Sequence, residues 1–478
     1  MREILIIGAG MAGLPCAIRA ADAGAHVTLI EAAGAVGGKL PRSSGQISAA
    51  GTRLQAEKGI ADTPDEHFAE VMRISHDTAD AATVRVAVDH AAGTIDWLQD
   101  IGVPFPPEHP VISYNHDVYR TRRYQWPVEK GKSILAALLP LLDAHIAAGR
   151  IDLRLNTEMT AIERGDDGAV TAMTVRDDAG NETALIADAY VLSAGGYTND
   201  PDLFRALTPN KPVYAAKIPI SSGKALRVAR DAGLQIDGGN LYMGMLGGVL
   251  ADRNDPLSVT FALNTVPQDR PPWEVWVNLS GERFTREDHP SATHREHAVN
   301  AQDALTFFIV FDEGIRQNAP PITMAKDAAL QQLIESNPSY MQADTIAALA
   351  AQMDVPADRL ANTIDHYNKV VAMGEDMAFG RESLPRSLET PPYYAVHSVA
   401  FAMPSPAGIA VNAALHALDT EGRVVPNLFG AGEIIGNTRL MGNAYISGMG
   451  VGPTVTFGRI LGERLGPSRR APADRSSG

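Results

Sequence analysis

The sequence predicts an α/β fold in which one large domain is built from both ends of the chain and carries an inserted α+β domain. Two glycine-rich strand–turn–helix patterns predict the large domain: ILIIGAGMAGLPCAIRA at residues 4–20 and NLFGAGEIIGNTRLMGNAYISGMGVGPTVTFGRIL at residues 427–461. The amino-acid composition changes after Leu241, where glycine, proline, asparagine and aspartate become frequent. With 478 residues, of which 45% are hydrophobic, the chain can form two or three domains.

The first pattern is a strand followed directly by three glycines. Ile4–Ile7 is the short apolar run typical of a parallel strand buried on both faces, and Gly8, Gly10 and Gly13 follow it. In a dinucleotide-binding turn these glycines allow the tight turn, the approach of a pyrophosphate and the packing of the helix on the strand. The free N–H groups of the helix N-terminus face the phosphates. The pattern therefore predicts a Rossmann-type domain.

The segment after the second strand, His26–Ile30, indicates which dinucleotide is bound. Glu31 lies 18 residues after Gly13, where its carboxylate can accept hydrogen bonds from an adenosine ribose. A nicotinamide domain would normally continue into another helix, whereas residues 32–52 here form the glycine-rich crossing AAGAVGGKLPRSSGQISAAGT. This crossing resembles the second pyrophosphate and ribityl contact of FAD enzymes of the fumarate reductase and 3-ketosteroid dehydrogenase superfamily. The resemblance implies a FAD-binding domain of two-dinucleotide-binding type with an inserted α+β capping domain.

The resemblance extends over nearly the whole chain, through SGQISAAGT, SAGG, GERF and the C-terminal GAGE and GNAY motifs. Together with the glycine motifs it predicts the residues at FAD, which are Gly8, Gly10, Met11, Ala12, Gly13, Glu31, Ala32, Gly38, Lys39, Ser44, Gly45, Ala49, Ala50, Gly51, Met159, Ala194, Gly195, Gly196, Asn199, Gly432, Glu433, Asn443, Gly448, Gly450 and Val451. No metal site is predicted.

Helices are predicted where apolar residues recur at helical spacing, over residues 64–73, 81–99, 132–146, 222–233, 345–353 and 357–371. Strand-like runs over 151–192 predict a small sheet inserted in the first domain, and 306–312 predicts a strand of the second. Segment 104–128, rich in proline, histidine, tyrosine and arginine, is expected to form a loop over the cofactor. The predicted FAD-binding domain is 1–241 with 396–466, the capping domain 242–395, and residues 467–478 a disordered tail.

The net charge, the cysteine count and the lack of long apolar runs indicate which binding partners and which compartment to expect. The formal net charge of −15 disfavours binding of nucleic acid or an anionic membrane, and the basic runs at 120–123 and 469–470 are short. The single cysteine, Cys16, allows no intramolecular disulfide and no cysteine metal site. A core strand begins almost at the first residue and no apolar run is long enough to span a bilayer, so a cytoplasmic protein is expected.

The two branches of the superfamily differ at identifiable positions. The dicarboxylate-using fumarate reductases carry N-R-L-G-G-N, whose arginine grips a substrate carboxylate, and TRLMGN keeps that arginine as Arg439. Their H-T-M-G-G-L stretch corresponds to MPSPAGIAV at 403–411, which has no histidine, and their arginine proton donor after the R-F pair has no evident counterpart. Arg439 is therefore a candidate either for substrate binding or for supporting the flavin side of the motif.

Ketosteroid dehydrogenases resemble the chain better at the last motif, where G-N-x-Y places a tyrosine hydroxyl on the substrate ketone. That tyrosine corresponds to Tyr445, with Ser447 beside it. Their basic tyrosine after R-F-x-N-E-x-x-P corresponds to Ser291, which is a poor base. The alternatives for the base are His289, His294 and Tyr242.

These residues predict an FAD-dependent oxidoreductase closer to the ketosteroid dehydrogenase branch. It is expected to dehydrogenate a cyclic ketone to the enone, or to run in reverse as an ene reductase, with an unidentified electron acceptor or donor. The alternative enzyme is a fumarate-reductase-like reductase of an unsaturated acid. A flavin-dependent redox sensor without turnover is a third possibility.

Overall fold

The computed structural model describes residues 1–209, 211–323 and 327–466 of the chain. The predicted tail, 467–478, lies outside the described residues. The strands are β1 Glu3–Ile7, β2 His26–Ile30, β3 Ile47–Ser48, β4 Tyr124–Gln125, β5 Ile151–Arg154, β6 Glu158–Arg164, β7 Val170–Arg176, β8 Glu182–Leu185, β9 Ala189–Leu192, β10 Ile236–Asp237, β11 Met245–Leu250, β12 Val259–Phe261, β13 Val275–Val277, β14 Thr306–Asp312, β15 Tyr340–Ala343, β16 Tyr393–Phe401, β17 Gly408–Ile409, β18 His416–Leu418 and β19 Val424–Gly430.

The α-helices are α1 Gly13–Asp22, α2 Arg53–Ala56, α3 Pro64–Ile74, α4 Ala81–Asp100, α5 Gly131–Ala147, α6 Pro201–Leu207, α7 Lys224–Asp231, α8 Ala292–Asn300, α9 Glu313–Asn318, α10 Asp327–Ser336, α11 Ile346–Met353, α12 Ala357–Met373, α13 Thr438–Met441 and α14 Val451–Leu465. The six predicted helices correspond to α3, α4, α5, α7, α11 and α12, with ends that differ by no more than two residues. None of the helices in the described ranges is long and apolar enough to cross a membrane.

The main sheet brings the two ends of the chain together. Its strand order is β18-β19-β9-β1-β2-β5, and β19, β9, β1, β2 and β5 are parallel. Ile4–Ile7 of β1 is buried, as a strand covered by helices on both faces requires. The predicted α/β fold with a Rossmann-type domain is confirmed.

Helices α1 and α14 pack against each other on one face of this sheet. A Cβ added to Gly458 would lie 2.1 Å from the carbonyl oxygen of Ala12, and one added to Gly462 would lie 2.4 Å from that of Cys16. These two positions therefore need glycine for the close approach of the C-terminal helix. Cys16 is buried in the same contact, and burial raises the pKa of its thiol to about 12.

The second domain contains an antiparallel sheet with the order β12-β11-β16-β14-β13, in which β15 also pairs with β16. Strand β16 pairs with β14 from Tyr393 to Val399 and with β11 as far as Phe401. The predicted boundary between residues 395 and 396 cuts this strand. The hydrogen bonding of this sheet continues to Phe401, and the position of the domain boundary stays a prediction.

The strands over 151–192 differ from the prediction of one inserted sheet. Only β6, β7 and β8 form a separate three-stranded sheet, whereas β5 and β9 are strands of the main sheet. Alternation of apolar residues identified these strands but could not show which sheet each one joins. Segment 104–128 contains one short strand, β4, which pairs with β3 of the glycine-rich crossing.

Candidate functional site

The turn after β1 gives each of its three glycines a different structural role. A Cβ added to Gly8, whose φ is +103°, would lie 2.6 Å from the carbonyl oxygen of Ser193, and one added to Gly13 would lie 1.8 Å from the carbonyl oxygen of Gly8. The nearest atom to a Cβ on Gly10 would be the Cα of Gly38, 3.9 Å away. Gly8 and Gly13 are therefore needed for packing, and Gly10 leaves its side open to the cavity beside the turn.

Glu31 lies at the end of β2 beside this turn. Its two carboxylate oxygens accept hydrogen bonds from the backbone N–H groups of Ala9, at 2.9 Å, and Ala33, at 2.8 Å. The side chain lines the same cavity as Gly10. These two bonds fix the carboxylate at the edge of the turn, where an adenosine ribose would be bound.

A cavity of about 1580 Å³, called the main cavity below, extends from the turn towards the second domain. Most of the residues predicted to hold FAD line it: Gly8, Gly10, Met11, Ala12, Glu31, Ala32, Gly38, Lys39, Ser44, Met159, Ala194, Gly195, Gly432, Glu433, Gly448, Gly450 and Val451. A Cβ added to Gly195 or Gly450 would meet no atom within 4 Å. The volume and the open glycine edges fit a flavin dinucleotide.

The other predicted FAD residues do not line the main cavity: Gly13, Gly45, Ala49, Ala50, Gly51, Gly196, Asn199 and Asn443. Their contacts are with protein. Gly196, for example, faces Ser405 and Glu433, and the Asn199 side chain donates to the carbonyl oxygen of Ala216 at 3.0 Å. The Asn443 side chain accepts a hydrogen bond from Thr78 at 3.1 Å. Their direct contact with FAD stays a prediction.

An ion pair joins the glycine-rich crossing to the C-terminal motif at the wall of the main cavity. Lys39 Nζ lies 2.7 Å and 2.9 Å from the two carboxylate oxygens of Glu433, which also accepts hydrogen bonds from the backbone and hydroxyl of Ser405 at 2.9 Å. Burial acts to raise the pKa of Glu433, but Lys39 and Ser405 outweigh burial and lower it. The pair is therefore charged and holds the two halves of the cavity wall together.

Tyr445 is the one predicted catalytic residue that lines the main cavity. Its ring stacks on His116 with 4.3 Å between ring centroids, and its hydroxyl makes no hydrogen bond within the described ranges. Burial, then the charges of Glu296 and Glu433, raises the pKa of Tyr445 to about 12. The phenol therefore keeps its proton at neutral pH and can donate a hydrogen bond to a ligand.

Arg295, on α8, places a buried cation in the same cavity. Its Nε donates to the carbonyl oxygen of His289 at 2.9 Å and its Nη1 donates to the carbonyl oxygen of Thr265, while no carboxylate of the described residues lies within ion-pair distance. Burial lowers the pKa of Arg295 to about 10, so the guanidinium is still charged at neutral pH. A charged group this deeply buried needs an anion to offset its lost hydration.

Glu296, the next residue of α8, also lines the main cavity. Burial raises the pKa of its carboxyl group to about 8, with Arg295 acting to lower it and Asp117 to raise it. At neutral pH the site therefore offers a charged guanidinium, a carboxyl group whose protonated form burial favours, and a phenol.

The other candidates for the base lie elsewhere. His289, Ser291 and His294 line a second cavity of about 840 Å³, in which the rings of His289 and His294 stack at 3.8 Å. The hydroxyl of Ser291 caps α8, accepting from the His294 N–H at 3.1 Å and donating to Asp117 at 2.8 Å. Within the described part of the chain, no group of three or more acidic, histidine or cysteine residues forms a metal site.

Tyr242, Arg439 and Ser447 also have structural contacts outside the main cavity. The buried Tyr242 hydroxyl donates to the carbonyl oxygen of Ala400 at 3.5 Å, and Arg439 forms two hydrogen bonds with Asp237 at 2.6 and 2.7 Å. The Ser447 hydroxyl is buried and makes no hydrogen bond to the described residues. For Arg439 this arrangement agrees with a supporting role, because its charge is already neutralised by Asp237.

Arg295, Glu296 and His116 are the residues that the sequence analysis missed. Arg295 lies after the R-F pair, where the sequence offered no evident counterpart of the arginine proton donor, and it lines the main cavity. The signal was the sequence THREH at 293–297, which lies shortly after Arg283 and Phe284 in the chain. Helical phase, which the sequence does not fix there, decides which of these side chains enter the cavity.

Comparison with known proteins identifies the family of the chain. The model of the FAD binding domain family matches residues 3–448, which is most of the chain. The chain belongs to this family. It binds FAD and is an FAD-dependent oxidoreductase acting on CH–CH groups.

Two relatives are similar along most of their length. A fumarate reductase (cytochrome) of Shewanella frigidimarina is 27% identical over 471 residues, covering 96% of this chain and 76% of the relative. A vinyl phenol reductase of Lactiplantibacillus plantarum is 28% identical over 464 residues, covering 90% and 89%. The specific resemblance to the ketosteroid branch is thus not established by sequence.

Two solved structures share the fold. The open conformation of a flavocytochrome c3 fumarate reductase has a TM-score of 0.72 at 24% identity, covering 97% of this chain and 78% of that one. The 3-ketosteroid delta1-dehydrogenase from Sterolibacterium denitrificans has a TM-score of 0.77 at 19% identity, covering 97% and 99%. Both support the architecture of a Rossmann-type FAD domain with a capping domain.

Proposed function

We propose that this FAD-dependent enzyme reduces the carbon–carbon double bond of a small unsaturated acid that carries one carboxylate. The observation that carries the proposal is the buried guanidinium of Arg295, which faces the main cavity without an acidic partner among the described residues. A substrate carboxylate would offset the cost of burying this charge, and an arginine can bind it through two parallel hydrogen bonds. The similarity to fumarate reductases supports this substrate class better than the cyclic ketone favoured by the last motif.

The number of buried cations without an acidic partner favours one carboxylate over two, because Arg42 and Lys132, which also line the main cavity, are exposed. Arg439, at the position where the resemblance implies the grip on a dicarboxylate, is bound to Asp237 on both of its carboxylate oxygens. The segment at 403–411 has no histidine to take part in a second clamp. Among the described residues that line the main cavity, Arg295 is the one buried cation without a carboxylate partner, so a second substrate carboxylate would have no buried cation to bind.

The residues have separable tasks. Gly10 and Glu31 would hold the dinucleotide, while Lys39 and Glu433 fix the wall against which the flavin lies. FAD, when bound and reduced, supplies the hydride. Arg295 orients the substrate by its carboxylate, and because its Nε and Nη1 are held by two backbone carbonyls, the guanidinium offers a fixed direction for binding.

The proposal is tested with the FAD-containing enzyme, reduced with dithionite under anaerobic conditions. The reduced enzyme is mixed in a stopped-flow instrument with an unsaturated monocarboxylic acid, with fumarate, and with a cyclic enone, and the return of the oxidised flavin spectrum is followed. We expect the monocarboxylic acids to reoxidise the enzyme fastest. Reoxidation by cyclic enones alone would contradict the proposal.

A second candidate, dehydrogenation of a cyclic ketone, is favoured by the hydroxyl of Tyr445. A phenol that keeps its proton and faces the cavity can stabilise charge that develops on a ketone oxygen. The same hydroxyl can instead bind a carboxylate beside Arg295. Ketone dehydrogenation would therefore depend on the Tyr445 hydroxyl more strongly than reduction of an unsaturated acid would.

If ketone dehydrogenation is the reaction, Tyr445→Phe should slow reduction of the flavin by a cyclic ketone by about 10²- to 10³-fold, the usual loss for one oxyanion donor. Tyr340→Phe, which removes a hydroxyl from a buried tyrosine of β15 away from the cavity, is the matched control. Stopped-flow reduction and a thermal melt of each variant separate catalysis from stability. Equal rates in both variants would remove the ketone candidate.

A further inference from the structure

Glu296 places a carboxyl group in the main cavity that no described residue contacts by a hydrogen bond or an ion pair. The residue is 6% exposed and lines the cavity, yet its carboxyl group makes no hydrogen bond or ion pair with the described residues. Buried carboxyl groups are normally hydrogen-bonded, and an unpartnered one at this depth costs stability. The Glu296 oxygens are open to the cavity rather than enclosed by protein, so a ligand in the cavity could contact them.

The surroundings of Glu296 favour its neutral form. Two charged groups act on the Glu296 carboxyl group: Arg295, which precedes it on α8, and Asp117 of the 104–128 segment. The charge of Glu296 in turn raises the pKa of Tyr445, which lines the same cavity. Burial is the largest effect and, opposed by Arg295 and assisted by Asp117, raises the pKa to about 8. The carboxyl therefore carries its proton at neutral pH while it can still release it.

We propose that Glu296 is the proton donor of the double-bond reduction, an inference that rests on the proposed function. With the substrate carboxylate on Arg295, the alkene would lie in the cavity that the Glu296 carboxyl group also lines. Reduced FAD would supply one hydride, which carries both electrons of the reduction, to one alkene carbon, and the proton leaves the Glu296 oxygen to form the C–H bond at the other carbon. The remaining carboxylate takes a proton from water before the next turnover.

Other groups near the cavity are less suited to this transfer. A general acid works best when its pKa is close to the working pH, whereas the pKa of Arg295 is about 10 and that of Tyr445 about 12. Burial lowers the pKa of His116 to about 4, so its imidazole has no proton to give at neutral pH. His289 and His294 line the second cavity and do not reach the substrate.

The first test compares Glu296→Gln with the wild-type enzyme in anaerobic stopped-flow reoxidation by an unsaturated monocarboxylic acid. The amide keeps the shape of the neutral acid but cannot give up a proton, so the rate at saturating substrate should fall by about 10²- to 10⁴-fold. The dissociation constant of the saturated acid should stay within about threefold. The wild-type rate should be level below pH 8 and fall above it, and this limb should be absent from the variant.

The second test needs no turnover. Infrared difference spectra between pH 7 and pH 9 should contain the C=O band of a protonated carboxylic acid in the wild type and lack it in Glu296→Gln. The melting temperature gives an independent measure: between pH 4.5 and 8 the unfolded chain has released the Glu296 proton and the folded protein has kept it. The stability that this residue contributes therefore falls as pH rises through that range. The melting temperature of the variant should accordingly rise relative to that of the wild type as pH increases from 4.5 to 8.

Two further variants complete the design. Glu421→Gln removes an exposed carboxylate between β18 and β19 and should leave rates and the infrared band unchanged. Glu296→Asp keeps an acid and should restore part of the rate and the pH limb. If the wild type is active and Glu296→Gln reacts at the same rate with the same pH profile, the role of Glu296 is overturned while the proposed function stands. If no unsaturated acid reoxidises the wild type, the proposed function is overturned instead.

Discussion

Replacing Arg295 with methionine should lower the second-order rate constant for reoxidation by an unsaturated monocarboxylic acid by roughly 30- to 5,000-fold. This range corresponds to the loss of about 2 to 5 kcal/mol when one partner of a buried, hydrogen-bonded charge pair is truncated. Methionine fills much of the same space, so the change removes the charge rather than the packing. Most of the effect should be on binding of the carboxylate, measured as a raised dissociation constant for the saturated acid.

The matched control is Arg286→Met. Arg286 precedes the same helix and forms ion pairs with Asp288 and Glu382 on the side of the second cavity, so its charge is not available to a substrate. Arg295→Lys keeps a positive charge but loses the planar fork, and should fall between the wild type and Arg295→Met. If Arg286→Met and Arg295→Met lose activity equally while both retain FAD, the charge of Arg295 does not bind the substrate.

The other large effect is expected at Gly13, where any side chain would enter the backbone of the turn. In Gly13→Ala the new Cβ would lie 1.8 Å from the carbonyl oxygen of Gly8, an atom that cannot move without displacing β1. We expect the free energy of unfolding to fall by about 3 kcal/mol or more, and FAD to be lost with it. Thermal melts of the FAD-free and FAD-loaded protein measure the two losses separately.

Gly10→Ala provides the comparison, because it changes the same turn by the same methyl group. The added Cβ would have no protein atom closer than 3.9 Å, so the FAD-free protein should melt at the wild-type temperature. The methyl group would still occupy the side from which the pyrophosphate approaches, and FAD affinity should fall. Wild-type affinity in Gly10→Ala would show that the dinucleotide does not pass over this turn.

The parts of the fold that were predicted correctly have a local physical cause. The roles of Gly8, Gly10 and Gly13 follow from spacing within a few residues, because strand, turn and helix are consecutive in the chain. The helices follow equally from the recurrence of apolar residues along 10 to 20 positions. Which strands share a sheet was harder, since β9 pairs with β1 and β19 across long separations and its apolar sequence would suit either sheet.

The catalytic candidates were harder to predict because α8 has no clear apolar face in its sequence. The side chains at 289, 291, 294, 295 and 296 are all polar or charged. The first three line the second cavity and the last two line the main cavity, and polarity does not distinguish the two groups. The ion pair of Arg439 could not be predicted for another reason. Its partner, Asp237, lies 202 residues away, and no local pattern reveals such an ion pair.

The construction of the main sheet from both ends of the chain also determines when the cofactor can enter. During synthesis the glycine turn emerges first, but β19, the Lys39–Glu433 ion pair and the glycines beside α14 are made only after residue 424. A ribosome-bound chain that has passed through the capping domain therefore holds the adenosine half of the site without the flavin half. A chain cut before residue 424 should therefore not retain FAD, because the part of the cavity wall that Glu433 and the glycines beside α14 form would be missing.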